Sequence, residues 1–174
     1  MSTASKTATK SARKTASKSP DAIQLLTQDH KEVKALFKQY EKLVQAEADD
    51  EQKQQLAQKI CAMLTAHATA EEEIFYPAAR EVLGEDEDLV DEADVEHASA
   101  KELIAQLEAS SPADDDHYDA KVKVLGEYIE HHVKEEEGEM FPKVKKTELD
   151  LASLGDEIAA RKEELLAELG AVPA

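Results

Sequence analysis

Tryptophan is absent from this chain, cysteine occurs once, and three phenylalanines and four tyrosines are the only aromatic residues apart from histidine. Each scarcity excludes something. The single cysteine, Cys61, cannot form an internal disulfide, which fits a reducing, cytoplasmic setting. It reads as a residue packed on a helix. No apolar run is long enough to cross a bilayer, so no membrane association is expected. The basic N-terminus lacks the apolar stretch of a secretory signal. Runs of β-branched residues are missing, and with 5 glycines and 5 prolines in 174 residues turns are few. A strand-rich fold is therefore not expected.

What remains abundant is Ala, Leu, Glu, Lys and Gln, the residues with high helix propensity. The formal net charge is −18. It is unevenly spread. Residues 1–20 carry Lys6, Lys10, Arg13, Lys14 and Lys18 and no acid, so residues 21–174 hold −23. The first 20 residues also lack core-forming side chains, and they read as a disordered basic tail. Such a tail solubilises the chain or makes weak, salt-sensitive contact with nucleic acid, which the acidic body opposes.

Ser19-Pro20-Asp21 reads as a helix start, with Ser19 as N-cap. Apolar residues then recur at alternating spacings of three and four: Ile23, Leu26, Val33, Phe37, Tyr40 and Val44, with His30 on the same seam. A second seam holds Leu56, Ile60, Met63, His67 and Ile74, and Glu71 follows His67 by one turn. Pro77 is expected to bend or loosen its end. A third runs Val90, Ala93, His97, Ala100, Ile104 and Leu107, and a fourth Tyr118, Val122, Leu125, Ile129, His132 and Glu136. Short polar loops join them. The expectation is an all-α fold: an antiparallel up-down-up-down four-helix bundle over residues 21–145. An extra C-terminal amphipathic helix is expected within 146–174, packed across the bundle or serving a partner.

Each of the four seams carries one histidine, and two carry a glutamate four residues later. Buried carboxylates are costly unless something positive balances them. In antiparallel neighbours, residues equally far from a loop lie at equal height. The midpoint of His30 and His67 falls in EADDE, residues 47–51, that of Glu71 and His97 at Gly84, and that of His97 and His132 in SPADDD, residues 111–116. All three are loops, so the six side chains should converge.

The chain also repeats itself. HATAEEEIFYP, residues 67–77, aligns with HVKEEEGEMFP, residues 132–142, and Asp29-His30 aligns with Glu96-His97. The register selects His132 over His131, which lies about 100° off the seam. Four imidazoles and two carboxylates are many ligands for one ion, and no thiolate joins them as in structural zinc sites. Two metal ions sharing carboxylates fit better.

The pattern His30, His67-x-x-x-Glu71, His97, His132-x-x-x-Glu136 resembles the hemerythrin-like, HHE cation-binding domain family over roughly residues 21–142. The resemblance implies a bundle around a non-haem centre of two iron ions. It implies terminal ligation by His30, His67, His97 and His132 and bridging by Glu71 and Glu136. It further implies a small ligand, such as oxygen, peroxide or nitric oxide, or a response to iron. Oxygen carriers of the family have a fifth histidine where this chain has Lys101, and an aspartate where it has Glu136. A sensor or a protein reactive toward a small oxidant is therefore expected rather than a carrier. Iron buffering without catalysis and a stress-related interaction module are the alternatives.

Other residues carry plainer expectations. His117 reads as surface. His131 reads as exposed or neighbouring the site, and as the substitute ligand if one is needed. Tyr128, one turn before His132, either packs or donates a hydrogen bond at the centre. Glu72, Glu73, Glu135 and Glu137 read as solvated, and Lys101 as a lysine reaching outward for water.

Overall fold

The computed structural model describes residues 19–171. The expected tail, apart from Ser19 and Pro20, lies outside the described residues. The first helix, α1 (Ala22–Gln45), begins two residues later than expected. Asp21 rather than Ser19 is the N-cap. Its carboxylate accepts from Gln24 N at 2.9 Å, and Gln24 Oε1 accepts from Asp21 N at 3.0 Å. This reciprocal capping box satisfies two free amides at once. A tight turn follows, with Glu47 at φ 50°. Asp49 then caps α2 (Asp50–Ala70) through Gln52 N.

The second helix does not stop at Pro77. It widens into a π-helical segment, Glu71–Phe75, and continues as α3 (Tyr76–Leu83). The same happens after α5 (Tyr118–Glu135), with a π segment over Glu136–Met140 and then α6 (Phe141–Val144). The amide of Tyr76 reaches Glu71 O, and that of Phe141 reaches Glu136 O, each five residues back. Pro77 and Pro142 have no amide to donate, and their rings would collide with the carbonyl four residues back in a regular helix. The wider turn absorbs both problems. It also shifts the phase of the helix by one residue, so Phe75 and Tyr76 are buried while Ile74 is only partly so.

Helix α4 (Asp88–Glu108) completes the set. Helices α1, α2, α4 and α5 pack as a closed ring, each on the next. Two apolar clusters fill it. One joins Val33, Tyr40, Ala57, Ile60, Leu107, Tyr118 and Leu125. The other joins Ile23, Leu26, Phe75, Tyr76, Val90, Phe141 and Val144. The early part of α1 thus meets the late part of the second helix and the reverse, as antiparallel neighbours must.

The last helix, α7 (Leu151–Glu168), packs along α1, α2 and the first π segment. Gly155 lets it approach closely, since a Cβ there would sit 2.7 Å from Pro20 O. Ile158 is fully buried in the second cluster. Among the described residues, no helix is long and apolar enough to cross a membrane, and no strand is present.

Candidate metal centre

Between the two apolar clusters lies a polar layer: His30, His67, Glu71, His97, His132 and Glu136, all buried. The structure brings together the six residues that the seams and the repeat single out. The histidines meet in two pairs. His30 Nε2 is 3.2 Å from His67 Nε2, and His97 Nε2 is 3.1 Å from His132 Nε2. Each glutamate reaches one member of each pair. Glu71 Oε2 lies 3.2 Å from His67 Nε2 and 3.4 Å from His97 Nε2. Glu136 Oε2 lies 3.3 Å from His30 Nε2 and 3.4 Å from His132 Nε2.

Outside this layer every imidazole is held by its other nitrogen. The Nδ1 of His67 donates to Asp29 at 3.0 Å, that of His97 to Glu72 at 3.0 Å, that of His132 to Glu96 at 2.7 Å and that of His30 to Glu137 at 2.8 Å. The arrangement is cyclic. A carboxylate from α1 holds a histidine of α2, and the same relation passes from the α2 extension to α4, from α4 to α5, and from the α5 extension back to α1. Carboxylates only accept, so each Nδ1 carries a proton and each neutral imidazole turns a lone pair inward.

That leaves too many lone pairs. Two facing Nε2 atoms repel unless a cation separates them. Neither oxygen of Glu71 makes a hydrogen bond, nor does Glu136 Oε2. Leaving such carboxylates bare in a protein interior costs several kcal/mol per ion in order of magnitude. Without a metal, protons take the cation's place. Burial opposes charge on His67, yet Glu71 and Asp29 raise its pKa to about 10. Burial likewise opposes charge on His132, and Glu136 and Glu96 raise it to about 11. Burial and mutual repulsion push Glu71 up, but the imidazoles outweigh them and hold it below the usual carboxylate range; Glu136 is held well below it. The donor set fits metal ions: converging nitrogens and oxygens, with orphaned buried oxygens among them.

Comparison with known proteins agrees. The model of the hemerythrin HHE cation binding domain matches residues 21–144. The chain belongs to the hemerythrin HHE cation-binding domain family. A solved hemerythrin HHE cation binding domain-containing protein from Mycobacterium kansasii superposes with a TM-score of 0.69. It is 25% identical, and the match covers 86% of this chain and 89% of that one. A protein described as a DNA nickase, from a Nostoc species, is 32% identical over 121 residues, which is 70% of this chain. The match spans 32% of that relative's length.

Lys101 turns away from the centre. Its ammonium sits on Glu72, 2.6 Å from Oε1, and so braces the carboxylate that holds His97. Tyr128 is 47% exposed and takes no part in the polar layer. Its side chain leaves the core face because α5 buries Leu125, Ile129 and His132 instead. The phenol at the centre is Tyr76. It donates to Glu136 Oε1 at 2.9 Å and lies 3.3 Å from His97 Nε2. Burial, then the charges of Glu71 and Glu136, push its pKa far above the ordinary value, so it stays a donor. His131 is exposed and belongs to a separate surface cluster with Glu96 and Glu135. His117 is on the surface as expected.

Glu72 and Glu137 are not simply solvated; they hold His97 and His30. Glu73 does face outward, on Arg161 of α7. The repeat contained a signal for Tyr76, because its counterpart is Phe141. Phe141 stacks on His30, with centroids 5.9 Å apart, much as Tyr76 lies against His97 at 5.4 Å. The two halves therefore differ at the centre by one hydroxyl. Cys61 is buried, and burial foremost raises its thiol pKa to about 12, leaving it inert.

Proposed function

We propose that this HHE-family protein is a non-haem di-iron protein that senses, binds or reacts with a small ligand such as oxygen, peroxide or nitric oxide. His30, His67, His97 and His132 would hold the two irons terminally, and Glu71 and Glu136 would be shared between them. The observation that carries this reading is the pairing of the imidazoles, with each glutamate reaching across both pairs. Such a layout offers two cation positions rather than one. Bound iron supplies redox and Lewis-acid chemistry that no side chain here has.

The chain's own groups do the rest. The carboxylate ring fixes each imidazole's tautomer and orientation. Tyr76 offers a proton donor inside the layer. An open cleft of about 1000 Å³ touches all four histidines; apolar residues including Val33, Met63, Ile104, Ile129 and Val133 line it together with charged ones such as Lys59 and Lys162. It gives a small ligand room to approach. Iron buffering is the competing reading, but storage asks for many ions, and six ligand residues suit few. For DNA nicking, named for the Nostoc relative, the acidic body is unfavourable, since residues 21–174 hold −23 against a polyanion.

The test is the absorption spectrum of the iron-loaded protein as nitric oxide or peroxide is added. A stoichiometric change, absent from Glu71→Ala, supports ligand binding at the centre. A spectrum indifferent to both ligands contradicts it and leaves iron buffering.

A further inference from the structure

The duplicated halves differ on their outer surfaces. Asp29 and Glu96 occupy matching positions. Each turns one oxygen inward to a histidine Nδ1. Their other oxygens meet different partners. Asp29 Oδ1 accepts from the Lys162 ammonium on α7. Glu96 Oε1 instead faces His131 Nε2 at 3.3 Å, and Glu135 Oε1 lies 3.2 Å from that same nitrogen. The repeat register sets Ala66 against His131 and Ala70 against Glu135, and both alanines are fully buried. One half is sealed by α7 and its lysine. The other presents a histidine and two glutamates to solvent, with one donor atom from each within 4.8 Å of the others.

The chemistry and the surroundings of this cluster both point to a ligand. One imidazole with carboxylate oxygens is a donor set for first-row divalent cations. His131 is 64% exposed, so an arriving hydrated ion can reach it. A small pocket of about 10 Å³, lined by Glu92, Glu96, Glu135, His132, Glu136 and Met140, lies between the cluster and the polar layer. At its inner end Glu136 is 1% exposed and its Oε2 has no hydrogen bond. Glu96 and Glu135 of the cluster thus line the same pocket as the unpartnered buried carboxylate of Glu136. Glu96 belongs to both ends, since its Oε2 holds the ligand histidine His132 while its Oε1 faces outward.

We propose that Glu96, His131 and Glu135 form an outer divalent-metal site through which Fe2+ enters the buried centre. The entry role rests on the iron reading of that centre; the outer site does not. The ion keeps its oxidation state throughout, passing from the surface donors to Glu136 and His132.

Two measurements test this. In the first, iron-filled protein is titrated with Mn2+, and free Mn2+ is followed by its paramagnetic resonance signal. About one further Mn2+ should bind per chain, and His131→Ala and Glu135→Gln should each weaken it more than about tenfold. In the second, metal-depleted protein receives Fe2+ under argon. Both variants should reach the wild-type iron content, about tenfold more slowly. Equal helix content and melting of the filled proteins show that the variants fold, and Glu73→Gln, on the α7 side, should match wild type in both assays. Absence of the extra Mn2+, unchanged Mn2+ binding in both variants, or equal filling rates each overturns the proposal. A wild type that takes up no iron at all overturns the iron reading as well, and is distinct from equal filling.

Discussion

Tyr76 Oη donates to Glu136 Oε1 across 2.9 Å, and by this bond the first half of the repeat touches the buried carboxylate of the second. Phe141 occupies the matching place in the other half, so a phenylalanine ring fits this kind of environment. Tyr76→Phe should therefore fold and keep its metal. It should lose about 1.5–3 kcal/mol of stability, the range for a hydrogen bond to a charged group. Chemical denaturation of the metal-loaded protein measures this, and no change in stability would mean that the hydroxyl is not bonded to Glu136.

Carboxylates at the centre fall into three ranks. Glu71→Ala and Glu136→Ala remove proposed ligands and should lower iron affinity more than about a hundredfold, beyond the 10–100-fold typical of outer partners. Glu72→Ala and Glu137→Ala free His97 and His30 to turn, and should cost about 10–100-fold. Glu73→Ala breaks only an exposed pair with Arg161 and should leave iron content unchanged. At equilibrium, His132→Ala should empty the centre while His131→Ala does not. Competition with a chelator of known affinity ranks them, and equal losses across the series would place the centre elsewhere.

Protons and metal compete for the same lone pairs, which sets opposite pH trends. In the metal-free protein His67 and His132 hold protons to about 10 and about 11, against an ordinary 6.5. Their contribution to stability is complete below pH 6.5, where both folded and unfolded chains are protonated. It is lost progressively as pH rises through the folded values. Metal-free protein should thus melt at falling temperature between about pH 6.5 and 10. Iron binding expels those protons, so iron affinity should rise over the same interval. Thermal melts with and without metal across this range check both signs. Parallel trends would mean that the imidazoles do not exchange protons for metal.

Lys101 stands where oxygen carriers place a fifth histidine, and its ammonium is spent outside the layer on Glu72. The centre thus has one nitrogen fewer, and the open cleft adjoins it. Oxygen added to ferrous-loaded protein should change the spectrum irreversibly. Purging with argon should not restore it, and Lys101→His should restore part of it. Full recovery of the wild type over repeated cycles would return the protein to a carrier role.

Much of this was legible from periodicity. A histidine on each seam, the glutamate one turn later and the loop midpoints located the polar layer, because straight helices preserve phase. What escaped lies where phase changes. The π turn at Glu71–Phe75 advances the helix by one residue, so Tyr76 faces the centre although a regular helix would favour Ile74. Tyr128 lies in the regular part of α5, in register with His132 but beyond the edge of the buried face. The outer carboxylates escaped because they lie beside the seam, where an acid on a neighbouring helix and a solvated acid look alike. Asp29 and Glu96 were visible as a repeated pair, but their partners are on other helices, and only packing assigns them.

Iron content per chain tests the central claim most directly. Protein purified from iron-sufficient cells, or loaded with Fe2+ under argon and freed of excess, should carry close to two irons per chain, as expected for six shared ligands. That content should be lost in Glu71→Ala and Glu136→Ala. One zinc per chain and no iron, or iron content unchanged by both substitutions, would contradict the account.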